Sequence, residues 1–228
     1  MAKQPKSLNG KLVVITGGAR GIGKATTAAL IRQGAKVAIG DLDLPTAQQT
    51  AQELGPNVTA FEVDVTNVDS FANFLQQVEE QVGPPDAIVN NAGIMQLGNF
   101  ATEPHETARR QIDINLHGVI TGTKLVIPGM VRRGNGHIIN IASQAGKTGF
   151  PGGATYCAVK HAVVGLSEAV RGEVRGTGVE VSVVLPGIVN TELAAGVDEA
   201  RGVKNQEPED VANAIVKTLQ YPRFEVHV

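Results

Sequence analysis

A doubly wound α/β fold is what this sequence predicts, with a parallel sheet of about seven strands and helices on both faces. Short, continuously apolar runs recur along the chain, and stretches of helical periodicity separate them. Strands that are apolar throughout, rather than alternating, belong to a parallel sheet buried on both sides. The first apolar run also opens directly into a glycine-rich turn, Thr16-Gly17-Gly18-Ala19-Arg20-Gly21-Ile22-Gly23, that leads into a helix.

Residues 1–10 are a polar lead-in. Leu12-Val13-Val14-Ile15 is the first strand, and a helix follows from Lys24 to Gln33, stopped by Gly34. Lys36 to Gly40 is the second strand, ending at Asp41, and Pro45 to Leu54 is helical, closing at Gly55-Pro56. Val58 to Val63 makes a third strand ending at Asp64. The helix after it, Val68 to Val82, sets Phe71, Phe74, Leu75 and Val78 on one face. Ala87-Ile88-Val89 is the fourth strand and runs into Asn90-Asn91-Ala92-Gly93. A long helical pattern spans Pro104 to Arg133, which Pro128 is expected to bend or end. His137 to Ile141 reads as strand, Ala154 to Arg175 as helix and Val179 to Leu185 as strand. Glu207-Pro208-Glu209-Asp210 starts a helix, with proline in the first turn and acids at the positive dipole end, and Phe224 to Val228 is a last short strand. With no linker, low-complexity segment or further repeat, residues 1–228 read as a single domain.

Composition narrows the function. Apolar residues make up 42% and charged residues 18%, as in an ordinary globular protein. Glycine is in excess, at 27 of 228 residues against an expectation of roughly 16, which suits tight turns and backbone close to a ligand. A net charge of −2 without a basic run argues against nucleic acid as a partner. Cys157 is the one cysteine, which fits a reducing compartment. MAKQPKSLNG has no apolar h-region and no apolar run nears membrane-spanning length, so a soluble, cytoplasmic protein is expected. His105, His117, His137, His161 and His227 lack metal-ligand spacing, and no metal site is expected.

The glycine turn lies where a phosphate-binding turn belongs, between a buried strand and a helix. Gly17, Gly21 and Gly23 let the backbone approach a pyrophosphate, and the helix beginning near Ile22 aims its free amides at that charge. A Rossmann-type sheet with a bound dinucleotide follows, although a glycine-rich turn without a ligand would read the same way locally. Asp41 ends the second strand about twenty residues past Gly21, where a carboxylate accepts from adenosine ribose hydroxyls and repels a 2′-phosphate. Arg20 points the other way, since it could pair with that phosphate. Asp41 carries more weight, so NAD is expected and NADP less so; Asp43 reads as a helix cap. Asp64, with Val65 after it, either accepts from the adenine amino group or forms the turn before Thr66-Asn67.

Tyr156 and Lys160 stand four apart on one helix face, so phenol and ammonium can share a space. A nearby cation favours phenolate, and a phenol tuned downward can exchange a proton with an alcohol or carbonyl. Alone, the pair also fits a solvated helix face. Ser143 alone fits a strand-end turn, and Asn115 a satisfied helix asparagine.

Gly-x-x-x-Gly-x-Gly at the start and Tyr156-x-x-x-Lys160 two-thirds along resemble the classical short-chain dehydrogenase/reductase family over nearly the whole length. Asn90-Asn91-Ala92-Gly93, Ile114-Asn115-Leu116, Ser143 before the tyrosine, and Pro186-Gly187 followed by Thr191 match its other motifs in order. The resemblance implies one dinucleotide-binding and catalytic domain, with Asn91, Ala92 and Gly93 lining the cofactor and Pro186, Gly187, Val189 and Thr191 at its nicotinamide. It implies Tyr156 as acid/base on the substrate oxygen, and Lys160 lowering the Tyr156 pKa and bonding the nicotinamide ribose. It implies Ser143 orienting and polarising the carbonyl, and Asn115 holding a water beside Lys160. A short, mobile substrate lid over 191–207, containing Gly196 and Gly202, is implied too, as is a homotetramer or homodimer paired through the two long helices. Relatives commonly carry a tail beyond the last strand, where this chain stops at Val228.

The function expected is hydride transfer between NAD(H) and a secondary alcohol or ketone. The competing readings are a dinucleotide-binding sensor or scaffold without turnover, and a sugar-nucleotide epimerase or dehydratase. The Ser143, Tyr156, Lys160 set argues against the first, and the little chain left after Thr191 against the second. Met95, Leu97, Phe150 and Leu193 are apolar pocket candidates, and charge is scarce in the flanking segments. Lys147 is expected to face water, with Arg201 the other cation in reach. The substrate is therefore expected to be uncharged and mainly hydrophobic.

Overall fold

The computed structural model describes residues 4–194 and 205–228. These form β1 (Leu12–Thr16), α1 (Gly21–Ile31), β2 (Lys36–Asp41), α2 (Leu44–Leu54), β3 (Val58–Glu62), α3 (Val68–Gln81) and β4 (Ala87–Asn90). There follow α4 (His105–Ile112), α5 (Gly118–Arg133), β5 (Gly136–Ile141), α6 (Ala154–Glu173), β6 (Val179–Leu185), α7 (Pro208–Gln220) and β7 (Glu225–His227). The strands join one seven-stranded sheet in the order β3-β2-β1-β4-β5-β6-β7, with every neighbouring pair parallel.

Alternation along each strand explains why both faces are covered. Val13 and Ile15 of β1 share a buried cluster with Leu30 of α1 and Val211 and Ile215 of α7. Leu12 and Val14 turn the other way and pack with Phe71, Phe74 and Val78 of α3 and Met130 of α5. Burying one such side chain stabilises by roughly 1.5–3 kcal/mol, so a strand that is apolar at every position is held from both sides. Strand order reverses at β1, with β2 and β3 added on one side and β4 to β7 on the other. That reversal opens a crevice beyond the carboxyl ends of β1 and β4, where ligands of doubly wound sheets bind.

Most element boundaries fall within a few residues of the sequence reading, and two differences have a physical cause. The pattern over 104–133 is not one regular helix. Between α4 and α5 the backbone makes a π-turn, Asp113–His117, in which the Gly118 N–H donates to the Asp113 carbonyl. Pro128 neither ends nor breaks α5, which continues to Arg133. Pro128 and Lys124 are both exposed, so the carbonyl that proline leaves without an N–H partner is on the solvated side. Among the described residues no helix is long and apolar enough to cross a membrane.

Candidate active site

The crevice is a cleft of about 1500 Å³. At one end is the glycine turn. Gly17 has φ +66°, and a Cβ there would come within 2.9 Å of Ala92 Cα. A Cβ on Gly23 would run into the Gly17 carbonyl oxygen. Gly23 is thus a packing residue of the turn and not part of the cleft wall, whereas Gly17, Arg20, Gly21 and Ile22 line it. The first N–H groups of α1 open toward this end and could hold an anion.

Side chains from the neighbouring strands brace the turn. Asn91 Nδ2 donates to the carbonyls of Thr16 (2.9 Å) and Gly17 (3.0 Å). Thr16 Oγ1 accepts from the N–H groups of Asn91 and Ala92, both at 3.1 Å. Asp41 accepts from the Ala19 N–H at 3.0 Å through one oxygen and from the Asp43 N–H at 3.1 Å through the other. Its carboxylate is therefore fixed in the cleft wall. Arg20 also lines the cleft, but its guanidinium is held by Asp43 (2.6 Å) and Thr46 (3.1 Å). Asp43 is the helix cap the sequence suggested, accepting from the Thr46 N–H at 3.1 Å. Asp64 makes the turn onto Thr66 (2.9 Å) and still lines the cleft beside Val65.

The other end gathers the candidate catalytic side chains. Ser143, after β5, accepts from the Ala145 N–H (3.1 Å) and donates over a long 3.4 Å to the Pro186 carbonyl. Tyr156 and Lys160 are both buried in α6, with Lys160 Nζ 5.6 Å from the centre of the Tyr156 ring and donating to the Ile141 carbonyl at 3.0 Å. Asn115 sits in the π-turn, and its amide is committed to Ile94: Oδ1 accepts from the N–H and Nδ2 donates to the carbonyl, each at 2.8 Å. Pro186, Gly187, Val189 and Thr191 complete this wall after β6, and Gly93 lies beside Asn115.

One electrostatic expectation is overturned. The cation was expected to pull the Tyr156 pKa down; here burial pushes it up to about 12, against a partial lowering by Ser143. Burial likewise draws Lys160 down to about 8. Lys160 spends its hydrogen bond on the Ile141 carbonyl, and the desolvation cost of a phenolate, with Cys157 adding to it, outweighs the lowering by Ser143.

Met95, Leu97, Phe150 and Leu193, the apolar pocket candidates, line the cleft. Charged residues that sequence reasoning missed line the cleft as well: Glu106, Arg109, Arg110 and Asp113 along α4 and its π-turn, Glu192 beside Leu193, and His227 from β7. For the four on α4 and its π-turn, spacing along one helix face was the only local signal. Lys147 does not simply face water, since it lines the cleft and pairs with Glu225 of β7 at 2.6 Å. Cys157 is packed with Tyr156, Ala145 and Met95. The two ends of the expected lid are tied together, with the Asn190 and Gln206 N–H groups donating to the Gln206 and Ile188 carbonyls, each at 2.8 Å. The centre of that lid, with Gly196, Arg201 and Gly202, lies outside the described residues. Among the described residues no three His, Cys, Asp or Glu side chains gather as a metal site would require.

The family model described as short chain dehydrogenase matches residues 11–202. The chain belongs to the short-chain dehydrogenase family. This short-chain dehydrogenase is 38% identical over 192 residues to a sorbitol dehydrogenase of Cereibacter sphaeroides, covering 84% of the chain and 75% of that relative. It is 34% identical over 227 residues to the glycine betaine reductase ATRR of Emericella nidulans, covering 94% of the chain and spanning only 18% of that much longer protein. Its fold matches the crystal structure of a 3-ketoacyl-(acyl-carrier-protein) reductase from Brucella melitensis complexed with NADH. The TM-score is 0.92 at 27% identity, covering 97% of this short-chain dehydrogenase and 98% of the other chain.

Proposed function

We propose that this protein transfers a hydride between NAD(H) and an uncharged, mainly hydrophobic secondary alcohol or ketone, working as a homo-oligomer. The observation that carries the reading is one cleft with a glycine cradle at one end and Ser143, Tyr156 and Lys160 at the other. A dinucleotide fits that cradle, since Gly17 and Gly21 line it without side chains and α1 presents its amino end. Gly17, Gly21 and Ile22 would hold the pyrophosphate, Asp41 the adenosine ribose, Asp64 and Val65 the adenine, and Gly93, Pro186, Gly187, Val189 and Thr191 the nicotinamide half. NAD is preferred over NADP because the Asp41 carboxylate is fixed while Arg20 is occupied by Asp43. The NADH complex of the structural relative supports the same choice.

The cofactor, when bound, supplies or accepts the hydride. The protein does the rest. In reduction, the Tyr156 hydroxyl gives its proton to the carbonyl oxygen, and its pKa near 12 keeps it protonated until then. Lys160 stabilises the phenolate that remains. Ser143, whose bond to the Pro186 carbonyl is long, re-aims its hydroxyl at the substrate oxygen, where the bond strengthens as charge develops. Asn115 keeps Ile94 and the adjoining wall in place and stands near enough to Gly93 to shape the route for water to Lys160.

Met95, Leu97, Phe150 and Leu193 support an apolar substrate, and Glu225 neutralises Lys147. A panel of ketones and alcohols, followed by NADH and NADPH absorbance, tests the reading. It should include each ketone beside the same skeleton bearing a carboxylate. Higher kcat/KM for the charged members would overturn the substrate class and direct attention to Arg109 and Arg110.

A further inference from the structure

The helix that carries Tyr156 starts poorly. Among the described residues α6 has no side-chain cap hydrogen bond, and its first turn holds no acidic residue. Such a start leaves N–H groups and the positive dipole end without an anionic partner. Glu103 supplies one from outside the helix, following the 3₁₀ turn Phe100–Thr102. Thr155 Oγ1, in that first turn, donates to Glu103 Oε2 at 2.5 Å. The other oxygen, Oε1, accepts from Gln111 Nε2 at 3.1 Å, and Gln111 of α4 is fully buried. Gln111 Oε1 in turn accepts from the Gln96 N–H at 3.1 Å. Gln96 stands between Met95 and Leu97, two cleft-lining residues.

These bonds form one directed chain. The Gln96 N–H can only donate, so Gln111 turns its carbonyl toward it and its amide toward Glu103. The Glu103 carboxylate then receives donors from both sides, one from Gln111, which holds the cleft wall through the Gln96 N–H, and one from the residue before Tyr156. We propose that Glu103 is a positioning residue that registers Tyr156 against the substrate-side wall of the cleft through Thr155 and Gln111. Its effect on turnover rests on the reading of Tyr156 as the acid/base. A wall and a phenol set by the same carboxylate keep their separation when either moves, and a shift of about 1 Å at a reacting group costs on the order of a hundredfold in rate.

The test uses Thr155→Val, Glu103→Ala, the double variant and Glu103→Gln. Thr155→Val removes only the hydroxyl and keeps the shape, so it stays informative if Glu103→Ala folds badly. Thr155→Val and Glu103→Ala should each lower kcat by about ten- to a hundredfold with the KM for NADH unchanged. The double variant should be no worse than Glu103→Ala, because both break the same link. Glu103→Gln should recover near-wild-type kcat, since its amide can accept from Gln111 and donate to the Thr155 hydroxyl.

A second readout needs no turnover. The sequence has two tyrosines and no tryptophan, so in a Tyr221→Phe background the near-ultraviolet circular dichroism band of tyrosine reports Tyr156 alone. That band should shrink in Thr155→Val and Glu103→Ala and persist in Glu103→Gln. Wild-type kcat and an unchanged band in the first two variants would overturn the positioning role, as would additive losses in the double variant or no recovery in Glu103→Gln. If the wild type reduces nothing on the panel while the band collapses in Thr155→Val, positioning stands and the reaction assignment falls.

Discussion

Asp41→Ala separates cofactor choice from cofactor binding. The carboxylate is anchored by the Ala19 and Asp43 N–H groups at 3.0 and 3.1 Å, so it cannot swing aside for an incoming phosphate. A hydrogen bond to a charged group is worth roughly 1.5–3 kcal/mol, and about 1.4 kcal/mol is tenfold in Kd. Loss of the ribose acceptor should therefore weaken NADH by about ten- to a hundredfold. NADPH carries phosphate on its 2′-oxygen, so it has no 2′-hydroxyl bond to lose there, and it is relieved of a like charge. That repulsion is roughly 1–4 kcal/mol at about 4 Å, between the limits of bulk water and a near-surface dielectric. The preference for NADH over NADPH should narrow by about tenfold or more. Titration by nucleotide fluorescence suits a chain without tryptophan, and Asp41→Asn, which keeps one acceptor, should lie between wild type and alanine. If wild type binds NADPH tighter than NADH, Arg20 governs the site and the reasoning fails.

His137 is buried in β5 against Ser182, with Nε2 to Oγ at 2.8 Å, and burial holds its pKa down at about 3. Above pH 6.5 folded and unfolded chains are both neutral there. Below it the unfolded chain takes a proton the folded one refuses, so stability falls with pH by about 2 kcal/mol between pH 6.5 and 4.5. Denaturant melts of His137→Gln should lack that share of the acid limb; parallel limbs would refute it. Lys160, at about 8, loses its charge as pH rises through that value, so NADH affinity should decline above pH 8 in wild type and be uniformly weak in Lys160→Ala. Flat binding to pH 9.5 in wild type would contradict this. Light scattering at micromolar concentration should report a homotetramer or homodimer, which would also cover the open sheet edge at β7, and a monomer mass would refute it.

The sheet was legible because most strands are buried and largely apolar; β1 is buried at every position, and β6 falls on the residues the pattern gave, Val179 to Leu185, although Glu180 and Ser182 interrupt it. The π-turn around Asn115 was not, because one widened turn barely disturbs the periodicity of a long helical pattern. The site residues were legible as motifs, yet their electrostatics were not. Four-residue spacing announces a cation near Tyr156, but only the packed structure shows how strongly burial opposes it. The Lys147–Glu225 pair and the Glu103–Thr155 bond join residues distant in sequence, and no local pattern records such pairings.

Tyr156→Phe tests the central claim most directly. It deletes one oxygen from a buried ring and leaves the glycine turn, Asp41 and Lys160 in place. Steady-state reduction of the best ketone on the panel, with an NADH titration of the same preparation, is the measurement. Removing a general acid costs about a hundredfold to ten-thousandfold, so turnover should fall by that much while the NADH Kd stays within about twofold. A variant that keeps more than a few per cent of the wild-type rate (about a hundredfold loss being the least expected) would contradict the account, because the proton would then be coming from elsewhere.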